Sequence, residues 1–349
     1  MPSTAFLTEN MFFARLKDYC DILGPSGMED LVRERIIADI KDSGAEYEVD
    51  ALGNLIVFKK GKQRRDKKLL VAAHMDEVGF MVTYVSEDGY IMFAPVGGID
   101  PRVVSGRRLV FCKNGIKGVV ASKAIHIQKP SEYGMCEPIS EMNIDIGCYD
   151  RETASQFAKI GDCAAFCPNY EEFGNGLIKS KALDDRFGCA LMVDMINSEL
   201  EYDTYFAFNT CEEIGCDGAA EVCYRIRPDI AVILESTTAG DIYGTPEGKR
   251  ACELHKGAVI SHMDGGTIYD KELVALALSV GKEEEIPCQL KNIVAGGNEA
   301  SAFQKGAMGA RVLAISAPTR YIHSACCVAA KEDLISVGKL ARAMIERNI

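Results

Sequence analysis

Hydrophobic positions near the start of the chain repeat at helical spacing. Residues 11–24 and 29–44 carry apolar side chains three and four positions apart, and both stretches end at glycine, which predicts two amphipathic helices. The next stretch, EYEVDALGNLIVFKKG, contains two runs of strand-forming residues, which predict a hairpin that turns at Gly53–Asn54.

The hydrophobic pattern changes between about Gly79 and about Phe173. Short apolar runs are separated here by the tight-turn dipeptides Asp88–Gly89 and Asn114–Gly115, and helical periodicity is scarce. Such dipeptides between short strands are typical of β-hairpins. We therefore predict an inserted all-β domain over this stretch.

Strands and helices alternate again from about Gly174 to the end of the chain. Apolar strands are predicted before Glu212, up to Glu235 and over residues 310–316, and residues 330–349 predict a closing amphipathic helix. The pattern predicts an α/β fold, with a mostly parallel sheet flanked by helices and interrupted by the all-β insert. Residues 180–196 predict a loop and then a helix, whose apolar face comprises Phe187, Ala190, Leu191 and Met195. The predicted division is residues 1–78 and 174–349 for the α/β domain and 79–173 for the insert.

Composition limits the class of protein. The chain has 349 residues, which exceeds the usual size of one core and agrees with two domains. Its net charge of −12 argues against nucleic acid and anionic membranes as partners, because both attract basic surfaces. The start lacks a signal-peptide pattern and no apolar run is long enough to span a bilayer. We therefore expect a cytoplasmic protein whose 14 cysteines are reduced thiols.

Acidic and histidine side chains follow the predicted apolar strands. Because sites in open α/β sheets form at the carboxyl ends of the strands, these side chains should converge on one edge of the sheet. Histidine together with carboxylates suits zinc or cobalt, whereas an all-oxygen set would suit magnesium or calcium. The candidates are His74 and Asp76 after LLVAA, Glu212 and Glu213 after TYFAFNTC, Glu235 after AVIL, Asp184 and Asp185 before a helix, and His323 in a later loop.

Each candidate also has a simpler explanation when it is taken alone. A single histidine at a strand end is more often structural than a ligand, Asp184–Asp185 could be a helix N-cap, and Glu212–Glu213 could lie in a solvated loop. Together they resist these explanations, because so many acids in one place would repel one another without cations.

Five ordered motifs resemble those of one family. AAHMDEVGF, KALDDRFG, CEEIGCDGA, ILESTTAGD and RYIHS are similar to motifs of the tetrahedral aminopeptidases, cytosolic two-metal exopeptidases of the glutamyl and deblocking type. Some members of that family are labelled endoglucanases. The similarity extends from PSGMED near the start to the final helix and includes PVGGIDPRVVSGRRL in the β insert. It implies a zinc-peptidase-like catalytic domain and an insert that serves dimerisation and assembly.

The resemblance implies a role for each candidate residue and a reaction. Two divalent ions, zinc or cobalt, with manganese also possible, would activate a water that attacks the first peptide bond of a short peptide. The chain would self-associate, with dimers assembling into a tetrahedral dodecamer. His74 and Glu235 would bind one ion, Glu213 and His323 would bind the other, and Asp184 would bridge the two ions. Glu212 would be the general base, and Asp76 would hold the His74 imidazole. Asp185 would be structural, through a strained link to Asp184.

Three departures from the family pattern bear on activity. The family often has aspartate where Glu235 stands, and its GGTDA is GGNEA here, with Glu299 in the acidic position beside the substrate site. After His323 the sequence is HSACCVAAKED, where the family commonly has HSP followed by glutamate. Three further histidines match no ligand position and are expected to be structural or at the surface: His126, His255 and His262.

Other functions remain as alternatives. A dinuclear deacylase or carboxypeptidase-like amidohydrolase shares the strand-end His-x-Asp and the Glu-Glu pair, but typically carries its inserted domain in the second half. A glucanase would need only a spaced carboxylate pair and gives no reason for His74 and His323. A non-catalytic homologue that still assembles is disfavoured because the candidate residues are intact.

Overall fold

The computed structural model describes residues 8–349. Within these residues no helix is both long enough and apolar enough to cross a membrane. The helices are α1 (Glu9–Asp21), α2 (Asp30–Ile40), α3 (Arg151–Phe157), α4 (Leu183–Ile196), α5 (Asp217–Ile226), α6 (Lys271–Glu283), α7 (Ala300–Lys305) and α8 (Lys331–Ile345). The strands are β1 (Glu46–Val49), β2 (Leu55–Lys59), β3 (Leu69–His74), β4 (Gly79–Val85), β5 (Ile91–Val96), β6 (Arg108–Phe111), β7 (Lys117–Ala121), β8 (Asn143–Asp145), β9 (Cys163–Phe166), β10 (Glu171–Phe173), β11 (Leu177–Ser180), β12 (Thr204–Asn209), β13 (Ile230–Thr238), β14 (Ala258–Ile260), β15 (Cys288–Leu290), β16 (Arg311–Thr319) and β17 (Cys327–Ala330).

Eight strands form the central sheet, in the order β1-β2-β12-β3-β13-β16-β14-β15. The middle strands β12, β3, β13 and β16 are parallel to one another, and the antiparallel pairs lie toward the two edges. Every residue of β3 is buried, as expected for a parallel strand covered on both faces. Helices pack on this sheet, with α4 against β3 and β13 and α8 against β16. The predicted α/β fold is confirmed, and so is the hairpin that β1 and β2 form.

The register of the sheet places two of the candidate ligands side by side on neighbouring strands. Ile233 of β13 is paired with Ala72 of β3, so Glu235 and His74, each two residues further on, lie in the same row. The prediction that this strand ends at Glu235 is wrong, because β13 continues to Thr238 in register with β16. Threonine favours strands, and the adjacent β16 supplies pairing partners along the whole extension. Glu235 is therefore an interior strand residue.

Residues 79–166 contain six strands that close into a barrel in the order β4-β5-β8-β7-β6-β9. The β4–β5 and β6–β7 hairpins occur where the Asp88–Gly89 and Asn114–Gly115 dipeptides predict them. Phe80 lies at the centre of the barrel core, with edge-to-face contacts to Phe93 and Phe166 at 5.2 Å between ring centroids. The separate all-β domain is thus present, and the division at residues 79 and 173 stays a prediction.

Helix α4 is more deeply buried than its amphipathic pattern predicts. All of its residues except Asp194 are buried, so the predicted apolar face is only part of the packed surface. The helix lies between the sheet and α1, with further contact to α2. The sequence pattern did not predict a small sheet of three strands, β10-β11-β17. Its strand β11 precedes α4 and pairs with β17, which follows His323 in the chain.

A buried ionic cluster fixes the start of α4 against the end of β3. The Glu77 carboxylate accepts a hydrogen bond from Lys181 Nζ at 2.7 Å and lies 3.6 Å from Arg186 Nη2. All three side chains are at most 3% exposed. Both cations also donate to backbone carbonyls that follow α1, including that of Ile22. Because Lys181 and Arg186 flank Asp184 and Asp185 in sequence, this cluster positions the two aspartates.

We expect Glu77→Gln to lower the free energy of unfolding by about 3–5 kcal/mol, because it leaves two buried cations without a carboxylate. Urea unfolding followed by circular dichroism measures the change. Glu172→Gln is the matched control, since Glu172 is 56% exposed and pairs with Lys331 at the surface, so its loss should cost at most about 1 kcal/mol. Equal effects of the two substitutions would contradict this role for the cluster.

Candidate metal centre

His74 and Glu235 form the first half of the centre. His74 Nε2 lies 3.6 Å from Glu235 Oε1 and 3.5 Å from Asp184 Oδ1. His74 ends β3, Glu235 lies in the neighbouring β13, and Asp184 begins α4, so three separate elements bring these donors together. Imidazole and carboxylate donors converging on one point are a ligand set for a divalent transition metal.

His323 and Glu213 form the second half. His323 Nε2 lies 3.2 Å from Glu213 Oε2 and 3.3 Å from Asp184 Oδ2. The two oxygens of Asp184 are therefore divided, with Oδ1 directed to His74 and Oδ2 to His323. One carboxylate between two histidine–glutamate pairs is an arrangement that can bridge two cations.

Asp76 joins His74 to the turn that carries the two glutamates. Its carboxylate lies 3.3 Å from His74 Nδ1, and it accepts the backbone N–H groups of Glu212 and Glu213, both at 3.1 Å. Ser26 donates a further hydrogen bond to it at 2.6 Å. Because the glutamates lie in a turn beyond β12 rather than in a pleated strand, Glu212 can line the cavity while the adjacent Glu213 reaches His323.

The β barrel supplies a contact that orients His323. The Gly98 carbonyl lies 2.8 Å from His323 Nδ1, and since a carbonyl only accepts, the proton of this hydrogen bond is on Nδ1. Nε2 is thereby directed to Asp184 and Glu213. The preceding Gly97 has φ of +84°, and a Cβ there would lie 3.3 Å from Glu213 Cβ. Glycine thus allows the barrel to approach the centre closely.

Charge is concentrated in this centre. Burial raises the pKa of Glu213 and of Glu235 well above the usual range, and the Asp184 carboxylate raises both further. Burial would lower the pKa of His74, but the carboxylates of Glu235, Asp184 and Asp76 outweigh it and raise that pKa well above its usual value. Glu213 and Glu235 therefore tend to hold protons, which bound cations would replace.

Several buried polar atoms of the centre have no hydrogen-bond partner among the described residues. They are His74 Nε2, Asp184 Oδ1 and Glu235 Oε2. Leaving such atoms buried without a partner is costly, and a metal ion would satisfy all three at once. The donor chemistry and the unpaired atoms therefore both fit divalent cations.

Glu212 lies beside the ligand candidates and makes a different set of contacts. Its Oε1 accepts a hydrogen bond from the Cys216 thiol at 3.4 Å. Burial raises the pKa of Glu212, and the Asp184 carboxylate raises it further, against the opposing effect of His74. It lines a cavity of about 110 Å³ together with Asp184, Glu235 and His323. A carboxylate placed in this way can exchange a proton with a molecule in the cavity.

The other acids and histidines make different contacts, although one oxygen of Asp185 lies within 4.8 Å of donor atoms of both His74 and Glu235. Asp185 is fully buried next to Asp184, across a cis peptide bond, and accepts a hydrogen bond from Gly188 N. Glu299 is also fully buried, so the neighbouring residues 295–298 line the cavity and Glu299 does not. Burial and the Glu212 carboxylate raise the pKa of Glu299 to about 8.

Of the histidines outside the centre, His126 and His262 are exposed and His255 pairs with Glu332. All 14 cysteines are free thiols.

Comparison with known proteins identifies the chain. The family model for the M42 glutamyl aminopeptidases matches residues 53–340. The chain belongs to this family. The resemblance found in the sequence motifs is thereby confirmed, and the chain is a peptide hydrolase.

Relatives in the M42 family match nearly the whole chain. A putative aminopeptidase from Acetivibrio thermocellus is 38% identical over 96% of this chain and 98% of its own. The lysyl aminopeptidase of Pyrococcus furiosus is 31% identical, covering 95% and 96%. Among solved structures, the TET1 peptidase of Pyrococcus horikoshii, which can assemble into a tetrahedron or a large octahedral shell, has 32% identity and a TM-score of 0.83, covering 95% and 98%. The similarity therefore includes the β barrel.

The sequence motifs did not indicate which residues form hydrogen bonds that support this centre. Ser26 and Glu29 of PSGMED bind Asp76 and the Cys211 backbone N–H, so this early motif supports the later glutamates. The Gly98 carbonyl belongs to the PVGGIDP motif of the barrel. Both motifs are visible in the sequence, but the side chain or loop that each one contacts is defined only by the tertiary structure.

Chelator-treated protein should show a pH-dependent contribution of His323 to stability. The Asp184 and Glu213 carboxylates raise the pKa of His323 to about 9 against the effect of burial. Because the pKa of His323 is raised in the folded state, its contribution to stability is fully present below the unfolded-state pKa of about 6.5. That contribution is lost as the pH rises through about 9. The stability difference between wild type and His323→Gln should therefore shrink across this window in urea titrations. A difference that stays constant from pH 6 to pH 9.5 would refute the expectation.

Proposed function

We propose that this M42 protein is a metal-dependent aminopeptidase that removes N-terminal residues from short peptides at a two-metal site. The observation that carries the proposal is the division of the Asp184 carboxylate between two histidine–glutamate pairs. A single-ion site would need only one of these pairs.

In this proposal each pair holds one cation. His74 and Glu235 would hold the first ion, His323 and Glu213 the second, and Asp184 would contribute one oxygen to each. When bound, two such ions lower the pKa of a water and polarise a carbonyl group. The mixed nitrogen and oxygen donors favour zinc or cobalt, and manganese is compatible with them. Glutamate at position 235 is a competent ligand, since its carboxylate already lies beside the His74 imidazole.

Glu212 is the general base in this proposal. It lines the cavity, and burial raises its pKa, so the carboxylate can take a proton from water and later give it to the leaving amine. The Cys216 thiol donates to Oε1 of this carboxylate, and the Glu212 side chain borders the cavity, which suits a group that must meet a substrate. Asp76 acts indirectly, because its carboxylate fixes both the His74 ring and the backbone of Glu212.

The acidic walls of the cavity support exopeptidase action. Asp184, Glu212 and Glu235 border a space of about 110 Å³, which suits one terminal residue and its amino group rather than an extended chain on both sides. A free α-amino group is cationic and would be drawn to these carboxylates. A dinuclear deacylase is the second candidate, since it would use the same ligands, and the peptidase family favours the aminopeptidase.

Self-association is part of the proposal. The P. horikoshii relative assembles into closed shells, and we infer that this chain forms dimers that assemble into a tetrahedral dodecamer in the cytoplasm. Exposed apolar side chains on the barrel support a contact between copies. They are Ile125, Ile127, Tyr133 and Met135, all more than half exposed.

Removing metal should abolish peptidase activity. We expect chelator-treated protein to release no product from aminoacyl 4-nitroanilides, and two equivalents of zinc, cobalt or manganese per chain to restore release. Elemental analysis of the reloaded protein should give two ions per chain, and His323→Gln should reduce this number to one. Full activity after exhaustive chelation would overturn the proposal, and two bound ions without release from any amide would favour the deacylase.

Glu212→Gln should lower kcat by about 10²–10⁴-fold while two ions remain bound, because a general base contributes rate of that order. Steady-state kinetics together with elemental analysis separates the two effects. Glu221→Gln is the matched control, since Glu221 lies on α5 with a half-exposed side chain close to Arg225, and it should retain activity. Comparable rates for the two variants would exclude Glu212 as the base.

A further inference from the structure

The carboxylate of Glu212 is held by a single contact. Its Oε1 accepts a hydrogen bond from the Cys216 thiol at 3.4 Å, and within residues 8–349 it accepts no other hydrogen bond and forms no ion pair. Each acidic ligand candidate beside it, by contrast, lies against a histidine. A glutamate side chain has three rotatable bonds, so without a contact its carboxylate would occupy several positions.

The main chain of this turn is fixed independently of the Glu212 side chain. Asp76 accepts the backbone N–H groups of Glu212 and Glu213. The Gly218 N–H donates to the Thr210 carbonyl at 3.2 Å and so closes the turn. Since the backbone is held at both places, the freedom that remains at residue 212 is the direction of its side chain.

Cys216 is placed to limit that freedom. Its backbone N–H donates to the Glu212 carbonyl at 3.1 Å while its thiol reaches the Glu212 carboxylate, so two hydrogen bonds join the same two residues. Cys216 is also the N-cap of α5, where a side chain usually accepts a backbone N–H of its own helix, but this thiol makes no such bond. Burial and the Glu212 carboxylate raise the pKa of the thiol, so it keeps the proton that it donates.

A second cysteine in the same turn has a different contact. Cys211 directly precedes Glu212 and is a half-buried free thiol like Cys216. Both residues have a left-handed backbone, with φ of +57° and +62°. The Cys211 thiol lies 3.7 Å from Glu29 Oε1, on a carboxylate outside the cavity lining. The turn thus offers two thiols in matched surroundings, one of which holds Glu212.

We propose that Cys216 is a positioning residue whose thiol directs the Glu212 carboxylate into the cavity. This inference rests on the proposed function, in which Glu212 is the general base, and it adds the group that orients that base. A base contributes to the rate only while it lies within reach of the proton that it takes, so an unheld side chain would spend less time in the productive position. The loss should appear in kcat, because the candidate metal ligands and the cavity walls are unchanged.

The test compares Cys216→Ala, which removes the donor, with Cys216→Ser, which keeps one. For metal-loaded protein and an aminoacyl 4-nitroanilide, we expect Cys216→Ala to lower kcat by roughly 5- to 30-fold with KM within about two-fold, as for loss of a weak donor to a charged acceptor. Cys216→Ser should restore kcat to within about three-fold of wild type, because a hydroxyl can donate in the same way. Cys211→Ala is the matched control and should keep the wild-type kcat, since it alters the same turn without removing a contact to Glu212.

Combining Cys216→Ala with Glu212→Gln separates positioning from a general structural effect. In the Glu212→Gln background, Cys216→Ala should lower kcat no further, because the thiol acts only through the Glu212 carboxylate. A fall of the same size in both backgrounds would overturn the inference, as would a Cys216→Ser variant that is as slow as Cys216→Ala.

Infrared absorption gives a measurement that needs no turnover. A hydrogen bond moves the S–H stretch of a thiol to lower frequency, and the difference spectrum between wild type and Cys216→Ala isolates the Cys216 band. This band should move to higher frequency in Glu212→Ala, and a band that stays in place would overturn the inference. If wild type cleaves no amide, the proposed function fails, and the position of this band alone decides whether Cys216 holds Glu212.

Discussion

Repulsion among carboxylates gathered at one edge of the sheet is the constraint that the surrounding structure must offset. Asp76 and Glu235 lie within contact distance of the His74 imidazole, Glu213 of the His323 imidazole and Asp184 of both, with little or no access to water. Asp76 is stabilised by backbone N–H groups and a serine hydroxyl, so it can remain charged. Among the described residues, Glu235 accepts only the backbone N–H group of Ser236, and Asp184 and Glu213 depend on the protons of His74 and His323 or on cations. The need for external positive charge is therefore a property of the fold at this edge.

The fold holds this unfavourable cluster together through contacts from outside the sheet. Glu77 binds Lys181 and Arg186, and these cations enclose the Asp184–Asp185 segment on both sides. The barrel contributes the Gly98 carbonyl, which fixes the direction of the His323 ring. The insert is thus connected directly to the chemistry of the centre, and its attachment immediately after the β3 segment places this loop beside the second half of the ligand set.

Charged side chains lie in two parts of one cavity. The candidate metal centre contains the acids and imidazoles, and in the proposed function they would serve the hydrolysis of a peptide bond. Beyond it, Asp264 accepts hydrogen bonds from its own loop, and the Lys291 ammonium donates to the Ala295 carbonyl.

The sequence by itself determined the α/β fold, the β insert and the motifs of the family, because these depend on local periodicity and on residue types at fixed spacing. It also determined that Glu212 and Glu213 follow a buried strand. Only the tertiary structure decided that β13 extends past Glu235, since its extension relies on pairing with β16, more than 70 residues later in the chain. It alone decided that α4 is buried on nearly all sides and that Asp184 lies between two histidines. Those outcomes depend on contacts between segments that are far apart in sequence, and hydrophobic periodicity carries no information about such contacts.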